Sequence, residues 1–507
     1  MQVDSQTDVI AFLSSAGTFG ADAAEIIETH ISLVFLAGDR AYKLKRAVKL
    51  PYADFTTLDL RRTYCLAEVR LNSRTAPEIY LGVRSVTREA DGSLALDGQG
   101  IVLDYVVEMR RFSQEQLFDR LADGDGLTKP LMEATAEQIA AFHQSADIRH
   151  DGTGADNLAG VLAINEAAFQ STSVFPTDQI QRLNQRFRAL HRANHALLDR
   201  RERNGAIRHC HGDLHLRNLF LGPEGPRMFD CIDFNDTLAV CDVLYDLAFL
   251  LMDLWHRQQE DLANAVANRY FDKTGDDAGY PLLSLFMAVR AAIRAHVEAT
   301  QIAQAADPPE GLRTEAWRYL ELAETLLRSE PARLVAIGGL SGTGKSTLAE
   351  ALAPGLGLAP GARILESDRQ RRALYGIARG QKLPDGAYAH AVSARVYETL
   401  RQKAETILAA GGSVIIDAVF DRQSERDAVQ ALSKRLGIPM TGLWLEAPTD
   451  TLLQRLQTRA AGDSDANGDV LRLQLSRDLG DITWHRLGST ADILHLVRQV
   501  SALLPPA

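Results

Sequence analysis

Gly339, Gly344, Lys345 and Ser346 lie within GGLSGTGKST (338–347) at the spacing G-x-x-x-x-G-K-S/T, a pattern whose chemistry is phosphate binding. With glycine near 7% of residues, a chance match is expected on the order of 0.015 times in a chain of this length. The spacing therefore points to a nucleoside triphosphate. In such a loop the backbone N–H groups across Gly339, Ser341, Gly342, Thr343, Gly344 and the opening helix residues Lys345, Ser346 and Thr347 face the phosphates. Lys345 reaches the outer phosphates, and the Ser346 hydroxyl is a Mg²⁺ ligand, which makes ATP and Mg²⁺ the expected cofactors.

A second constellation lies in HCHGDLHLRNLFLGPEGPRMFDCIDFND, where His211, Asp213 and Asn218 are followed by Asp233 after a strand-like run. A phosphotransferase needs a carboxylate to orient or deprotonate an acceptor hydroxyl, together with amide and carboxylate oxygens to hold Mg²⁺. Asp213, Asn218 and Asp233 are those chemical types. After the phosphate loop, ARILESDRQRRALYG reads as a strand ending at Ser367 and Asp368, beside Arg369, Arg371 and Arg372. Asp368 is suited to orienting an acceptor hydroxyl and Arg371 to neutralising phosphate charge. The apolar run GGSVIIDAVF reads as a buried parallel strand with Asp417 at its carboxyl end, where a carboxylate can hold Mg²⁺ or position water. Arg455 and Arg459 lie one turn apart on a helix face, placed to close over phosphates as a lid.

These residues require particular elements beneath them. PARLVAI, the glycine loop and STLAEALAPGL give strand, loop and helix in the order a phosphate loop demands. TGLWLEAP reads as a further strand, and ITWHRLGSTADILHLVRQVSALL as a closing strand and helix. Upstream, residues 29–50 hold two β-branched, apolar runs joined by Gly38 and Asp39, a hairpin signal. A helix over 57–75 and strands over 78–87 and 101–109 complete a small mixed lobe, and helical patterns dominate 113–328. Pro331 follows a helix over 313–328, and a linker is expected there.

HGDLHLRN and IDFNDTLAVCDVLYDLA resemble the catalytic loop and metal-binding segment of the aminoglycoside phosphotransferase family, whose fold is like that of protein kinases. The resemblance implies that Asp213 is the catalytic base and that Asn218 and Asp233 ligate Mg²⁺, with His211, Asp242 and Asp246 bracing the loop. It further implies that Lys43, in AYKLKR, contacts nucleotide phosphates, with Lys45 a competitor on the same strand face, and that Glu68 is the ion-pair partner. One departure stands out: THISLVFLAG offers Thr29, His30 and Ser32 where the family places a glycine-rich nucleotide loop. From Ala332 to Leu504 the chain resembles small P-loop kinases of the gluconate kinase, zeta toxin and polynucleotide kinase type, with Asp368 and Arg371 in the place of an acceptor-activating pair and R-L-x-x-R in that of the lid. The whole arrangement resembles bacterial fusions of the two. It implies a mixed α/β and α+β protein: a bilobal kinase-like domain over 1–330 (small lobe to about 110), then over 331–507 a P-loop domain with a parallel sheet covered by helices.

At 507 residues, with 46% hydrophobic and 24% charged residues, the composition is that of an ordinary soluble protein. Residues 1–330 carry a net charge of −14 and residues 331–507 a net charge of +3. The acidic body argues against nucleic acid as a partner and points the first half to neutral or cationic small acceptors and the second to anionic ones. Phosphorylation of one metabolite by both halves in succession would account for the fusion. The start MQVDSQTDVIAF lacks a signal-peptide pattern and no apolar run reaches membrane-span length, so the expected location is the cytoplasm. Cys65, Cys210, Cys231 and Cys241 have the spacing of structural thiols. The function expected is a bifunctional, ATP-dependent kinase acting on alcohols. The rival expectations are a single active P-loop kinase with the first half as a binding or regulatory module, and phosphorylation of RNA 5′-hydroxyls by the second half.

Overall fold

Alternation of side chains decides the first sheet. In the strand Arg40–Lys45, Tyr42 and Leu44 join a buried cluster with Phe35, Val86 and Val106, which leaves Lys43 and Lys45 on the opposite face. A computed structural model of the chain describes residues 6–19, 24–29, 31–50, 53–150, 152, 154–305, 307–384, 386–458 and 468–505. The strand pairs with Ser32–Ala37 across a two-residue turn in which Gly38 takes φ +58°, a conformation that glycine reaches without cost. A further strand, Glu25–Glu28, precedes this hairpin and pairs antiparallel with it. The sequence signal misses this strand because EIIE has acidic ends and only two apolar residues.

Spatially the sheet runs Glu25–Glu28, Ser32–Ala37, Arg40–Lys45, Ile101–Arg110, Tyr80–Arg88 and Leu94–Leu96, all antiparallel. The helix Leu58–Asn72 is capped by Thr57, whose side chain accepts from the N–H of Leu60. Cys65 on that helix packs in a cluster with Tyr80 and Val107. Farther along, Ile207–His209 pairs with Val240–Asp242, and between them lie the turn Leu216–Asn218 and the hairpin Leu219–Gly222 with Gly225–Met228. All four cysteines are buried free thiols.

The second sheet is parallel throughout, in the order Arg363–Glu366, Val414–Asp417, Leu334–Gly339, Met440–Glu446, His485–Gly488. Every residue of Leu334–Gly339 and Val414–Asp417 is buried, as continuous apolar runs covered on both faces require. On one face Val335 and Ile337 pack with Leu348, Ala349, Leu496 and Val500 from the helices Lys345–Leu352 and Ile493–Leu503. On the other, Ala336 and Ile416 pack with Val396, Leu400 and Val429 from His390–Ala409 and Gln423–Leu436. Each fully buried aliphatic side chain contributes roughly 1.5–3 kcal/mol.

Two compact units result, residues 1–158 with 194–253 and residues 159–193 with 254–507. The second holds the parallel sheet and the helices Glu260–Thr274, Leu283–Gln304 and Leu312–Leu326. Among the described residues no helix is long and apolar enough to cross a membrane.

Candidate active sites

In the first unit, Glu68 joins two lysines. Its Oε1 lies 2.8 Å from Lys43 Nζ and its Oε2 accepts from Lys45 Nζ at 2.8 Å. Each lysine also meets an aspartate at 2.5 Å, Lys43 with Asp230 and Lys45 with Asp233. Burial would raise the Glu68 carboxyl, but the two ammonium groups overcome it and hold the group at about 2. For Asp233 burial wins, helped by the charge of Glu68, and its carboxyl rises to about 6 against the pull of Lys45. The lysines differ in access: Lys43 lines a cavity of about 450 Å³ together with Asp213, Asp230 and Asp233, whereas the Lys45 side chain is 1% exposed. Lys43 is therefore the lysine that a nucleotide in this cavity would meet, and Lys45 is a buried clasp.

Asp230 was not singled out in the sequence. It sits three residues before Asp233 in DCID, takes φ +59° and is 45% exposed at the side chain. Its N–H donates to the Tyr80 hydroxyl at 3.1 Å. A second carboxylate at the i, i+3 spacing after a short strand is the signal that could have found it.

The catalytic-loop residues converge. Asn218 Nδ2 donates to Asp213 Oδ2 at 2.9 Å, and His215 Nε2 lies 3.3 Å from the same oxygen. Asp246, fully buried, accepts the backbone N–H groups of His211 and Gly212 at 3.0 and 2.8 Å and meets His143 Nε2 at 3.1 Å. His211 Nε2 donates to the Phe229 carbonyl at 2.9 Å, and burial lowers the imidazole pKa, which keeps it neutral. Asp242 works elsewhere: it holds Arg201 through two 2.7 Å bonds and accepts from the N–H of Leu244. Where a glycine-rich loop was sought, Thr29 makes a closed turn, its hydroxyl accepting from the N–H of Ser32 at 2.9 Å while its own N–H donates to the Ser32 carbonyl. His30 lies outside the described residues.

In the second unit the strand Leu334–Gly339 delivers the glycine loop to the helix Lys345–Leu352. Gly344 takes φ +86°, and a Cβ on Gly339 would come within 2.6 Å of the Leu445 carbonyl, so the backbone cradle needs glycine at both positions. Ser346 Oγ donates to Asp417 Oδ2 at 2.6 Å, bringing together two hard oxygen donors of the kind Mg²⁺ takes. Burial raises the Asp417 carboxyl, opposed by the charge of Lys345. Gln474, missed in the sequence because it follows a polar stretch, clamps the loop: its Oε1 accepts from the N–H of Ser341 at 2.9 Å and its Nε2 donates to Ser341 Oγ at 3.0 Å. Thr343 Oγ1 donates to the Leu340 carbonyl.

Ser367 and Asp368 open the helix Ser367–Tyr375 instead of ending a strand. Asp368 Oδ1 lies 4.0 Å from Arg371 Nε. Arg371 itself is buried, donates to the Ala387 carbonyl at 2.7 Å and lies over the Tyr388 ring. Arg372 donates to the carbonyls of Ala378 and Gln381. Arg455 is held at the loop, donating to the Gly342 carbonyl at 3.3 Å and the Ser489 carbonyl at 2.8 Å. Arg459 lies outside the described residues.

A model described as a phosphotransferase enzyme family matches residues 94–286, and one described as an AAA domain matches 334–477. An uncharacterized protein of Mycobacterium tuberculosis is 31% identical over 473 residues, covering 91% of this chain and 92% of its own, and one of Mycobacterium bovis matches to the same extent. The chain belongs to this family of fused phosphotransferase and P-loop kinase proteins. Among solved structures, a choline/ethanolamine kinase family protein from Mesorhizobium loti is similar at 15% identity, covering 64% of this chain and 96% of that one, with a TM-score of 0.40. A gluconokinase from Sinorhizobium meliloti is similar at 22% identity, covering 34% and 92%, with a TM-score of 0.25. The matched phosphotransferase region makes the protein an enzyme that transfers phosphoryl groups.

Proposed function

We propose that the protein has two ATP- and Mg²⁺-dependent phosphotransferase sites, each acting on a hydroxyl of a small, sugar-like or aminoglycoside-like molecule. The observation that supports the reading is that each unit brings residues suited to that chemistry together: Lys43, Asp213, Asp230 and Asp233 line one cavity in the first, with Asn218 bonded to Asp213, and in the second Ser346 of the phosphate loop bonds to Asp417. The first cavity, about 450 Å³, falls within the ordinary range for small-ligand sites.

When bound, Mg·ATP supplies the transferable phosphoryl group and the cation that shields its charge. Asn218, Asp230 and Asp233 in the first site, and Ser346 with Asp417 in the second, are the oxygen donors that would hold the metal. Asp213, 40% exposed and held by Asn218, would take the hydrogen bond of the acceptor hydroxyl and then its proton, while the new phosphorus–oxygen bond replaces the one to the departing ADP. Asp368 has the same role in the second site, with Arg371 beside it. Lys43 and Lys345 keep the outer phosphates in line for displacement.

Equilibrium dialysis tests this. Wild type should bind two Mg·ATP per chain, and Lys43→Met and Lys345→Ala should each remove one. A single site, lost with Lys345→Ala alone, would favour the second reading, in which the first unit binds or regulates. The closed Thr29 turn supports that second reading, because it consumes backbone N–H groups that a glycine loop would offer to phosphate.

A further inference from the structure

Arg363 opens the strand Arg363–Glu366 with its side chain 1% exposed, a costly place for a guanidinium unless carboxylates surround it. They come from residues well before the phosphate loop. Asp272, on the helix Glu260–Thr274, meets Arg363 Nη2 at 2.7 Å, and Asp277 meets its Nε at 2.9 Å. Asn268 on the same helix accepts from Arg363 Nη1 at 3.0 Å and from the N–H of Ile364 at 2.7 Å, so its side-chain oxygen also takes up a backbone donor of the strand. Lys403 Nζ lies 3.1 Å from the other oxygen of Asp277.

Asp272 does more than neutralise Arg363. Its second oxygen accepts from Arg369 Nη1 at 3.2 Å, and Arg369 follows Asp368 in the first turn of the helix Ser367–Tyr375. Glu366 at 2.7 Å and Glu350 at 3.5 Å complete the acidic shell around that guanidinium. Loss of Asp272 would leave Arg369 to Glu366 and Glu350 and loosen the turn that carries Asp368, the carboxylate the transfer site needs for the acceptor.

We propose that Asp272 is a positioning residue of the P-loop transfer site: together with Glu366 it holds Arg369 and so fixes the turn that carries Asp368. The proposal rests on the reading of Asp368 given above. It assigns a part in the second site's chemistry to a helix that lies within the region matching the phosphotransferase family model.

The full-length chain tests it, with a metabolite extract and ATP as the probe and mass spectrometry reading the product that Lys345→Ala abolishes. Asp272→Asn and Arg369→Gln are each expected to lower the rate at saturating ATP roughly 10- to 100-fold, with the KM for ATP changed by less than about threefold. Asp272→Glu should recover most of the loss. The double variant should be no slower than the slower single one, because both act through one contact. Arg369 is partly exposed, so Arg369→Gln carries the test if Asp272→Asn does not fold. An unchanged rate per folded molecule, a KM for ATP that rises as far as the rate falls, or losses that multiply in the double variant would overturn the proposal. A wild type that makes no Lys345-dependent product would overturn the P-loop reading itself, and this proposal with it.

Discussion

Ser346 Oγ donates to Asp417 Oδ2 across 2.6 Å, from the first turn of a helix to the last residue of a strand 71 positions later. Burial raises the Asp417 carboxyl, so its charged form is disfavoured in the folded chain. Asp417→Asn keeps the shape and removes the charge. The Lys345-dependent rate should fall about 100-fold or more and need more Mg²⁺, while the thermal midpoint stays level or rises. Rates across a Mg²⁺ series, with a melting curve for each variant, check both halves of the statement.

The two lysines on Glu68 should separate in the same way. Lys45→Met leaves Asp233 and one oxygen of Glu68 without their cation in a buried site and is expected to cost about 3–5 kcal/mol in urea unfolding. Lys43→Met should cost less, about 1–2 kcal/mol, because Asp230 is 45% exposed and rehydrates. It should nevertheless lower the Asp213-dependent rate about 100-fold. Equal stability losses from the two substitutions would contradict the division into a nucleotide-facing lysine and a clasp.

Both domains were legible because their signals are local. GGLSGTGKST and HGDLHLRN each hold a whole loop pattern within a few residues, and the parallel strands announce themselves as unbroken apolar runs. What escaped depends on distance along the chain or on backbone geometry. That Lys45 is the clasp and Lys43 the cavity residue is decided by Asp233 and Asp230, 188 and 187 positions away. Asp230 earns its place through a left-handed φ that no composition rule reports. The clamp of Gln474 on Ser341 spans 133 residues, and the Asp272–Arg363 pair spans 91. Their residue types alone read as ordinary surface polar and charged groups.

Glu425 gives a pH dependence with a definite sign. Burial, and then the neighbouring Asp421, raise its carboxyl from 4.5 to about 7, and one of its buried oxygens has no hydrogen-bond partner among the described residues. Between those values the folded protein holds a proton that the unfolded chain has released. Stability therefore falls as pH climbs through that window and levels off above about 7. Partial access to water limits the loss to about 1–2 kcal/mol. Glu425→Gln should match wild type near pH 4.5 and exceed it by a similar amount at pH 8, as measured by urea unfolding at each pH.

The central claim is that two separate sites transfer phosphoryl groups. Mass spectrometry of a metabolite extract incubated with ATP and full-length wild type, Asp213→Asn or Lys345→Ala tests it most directly. Asp213→Asn should abolish one phosphorylated product and spare another, and Lys345→Ala should do the reverse. Products unchanged by both substitutions, or a single product abolished by either one, would contradict the account.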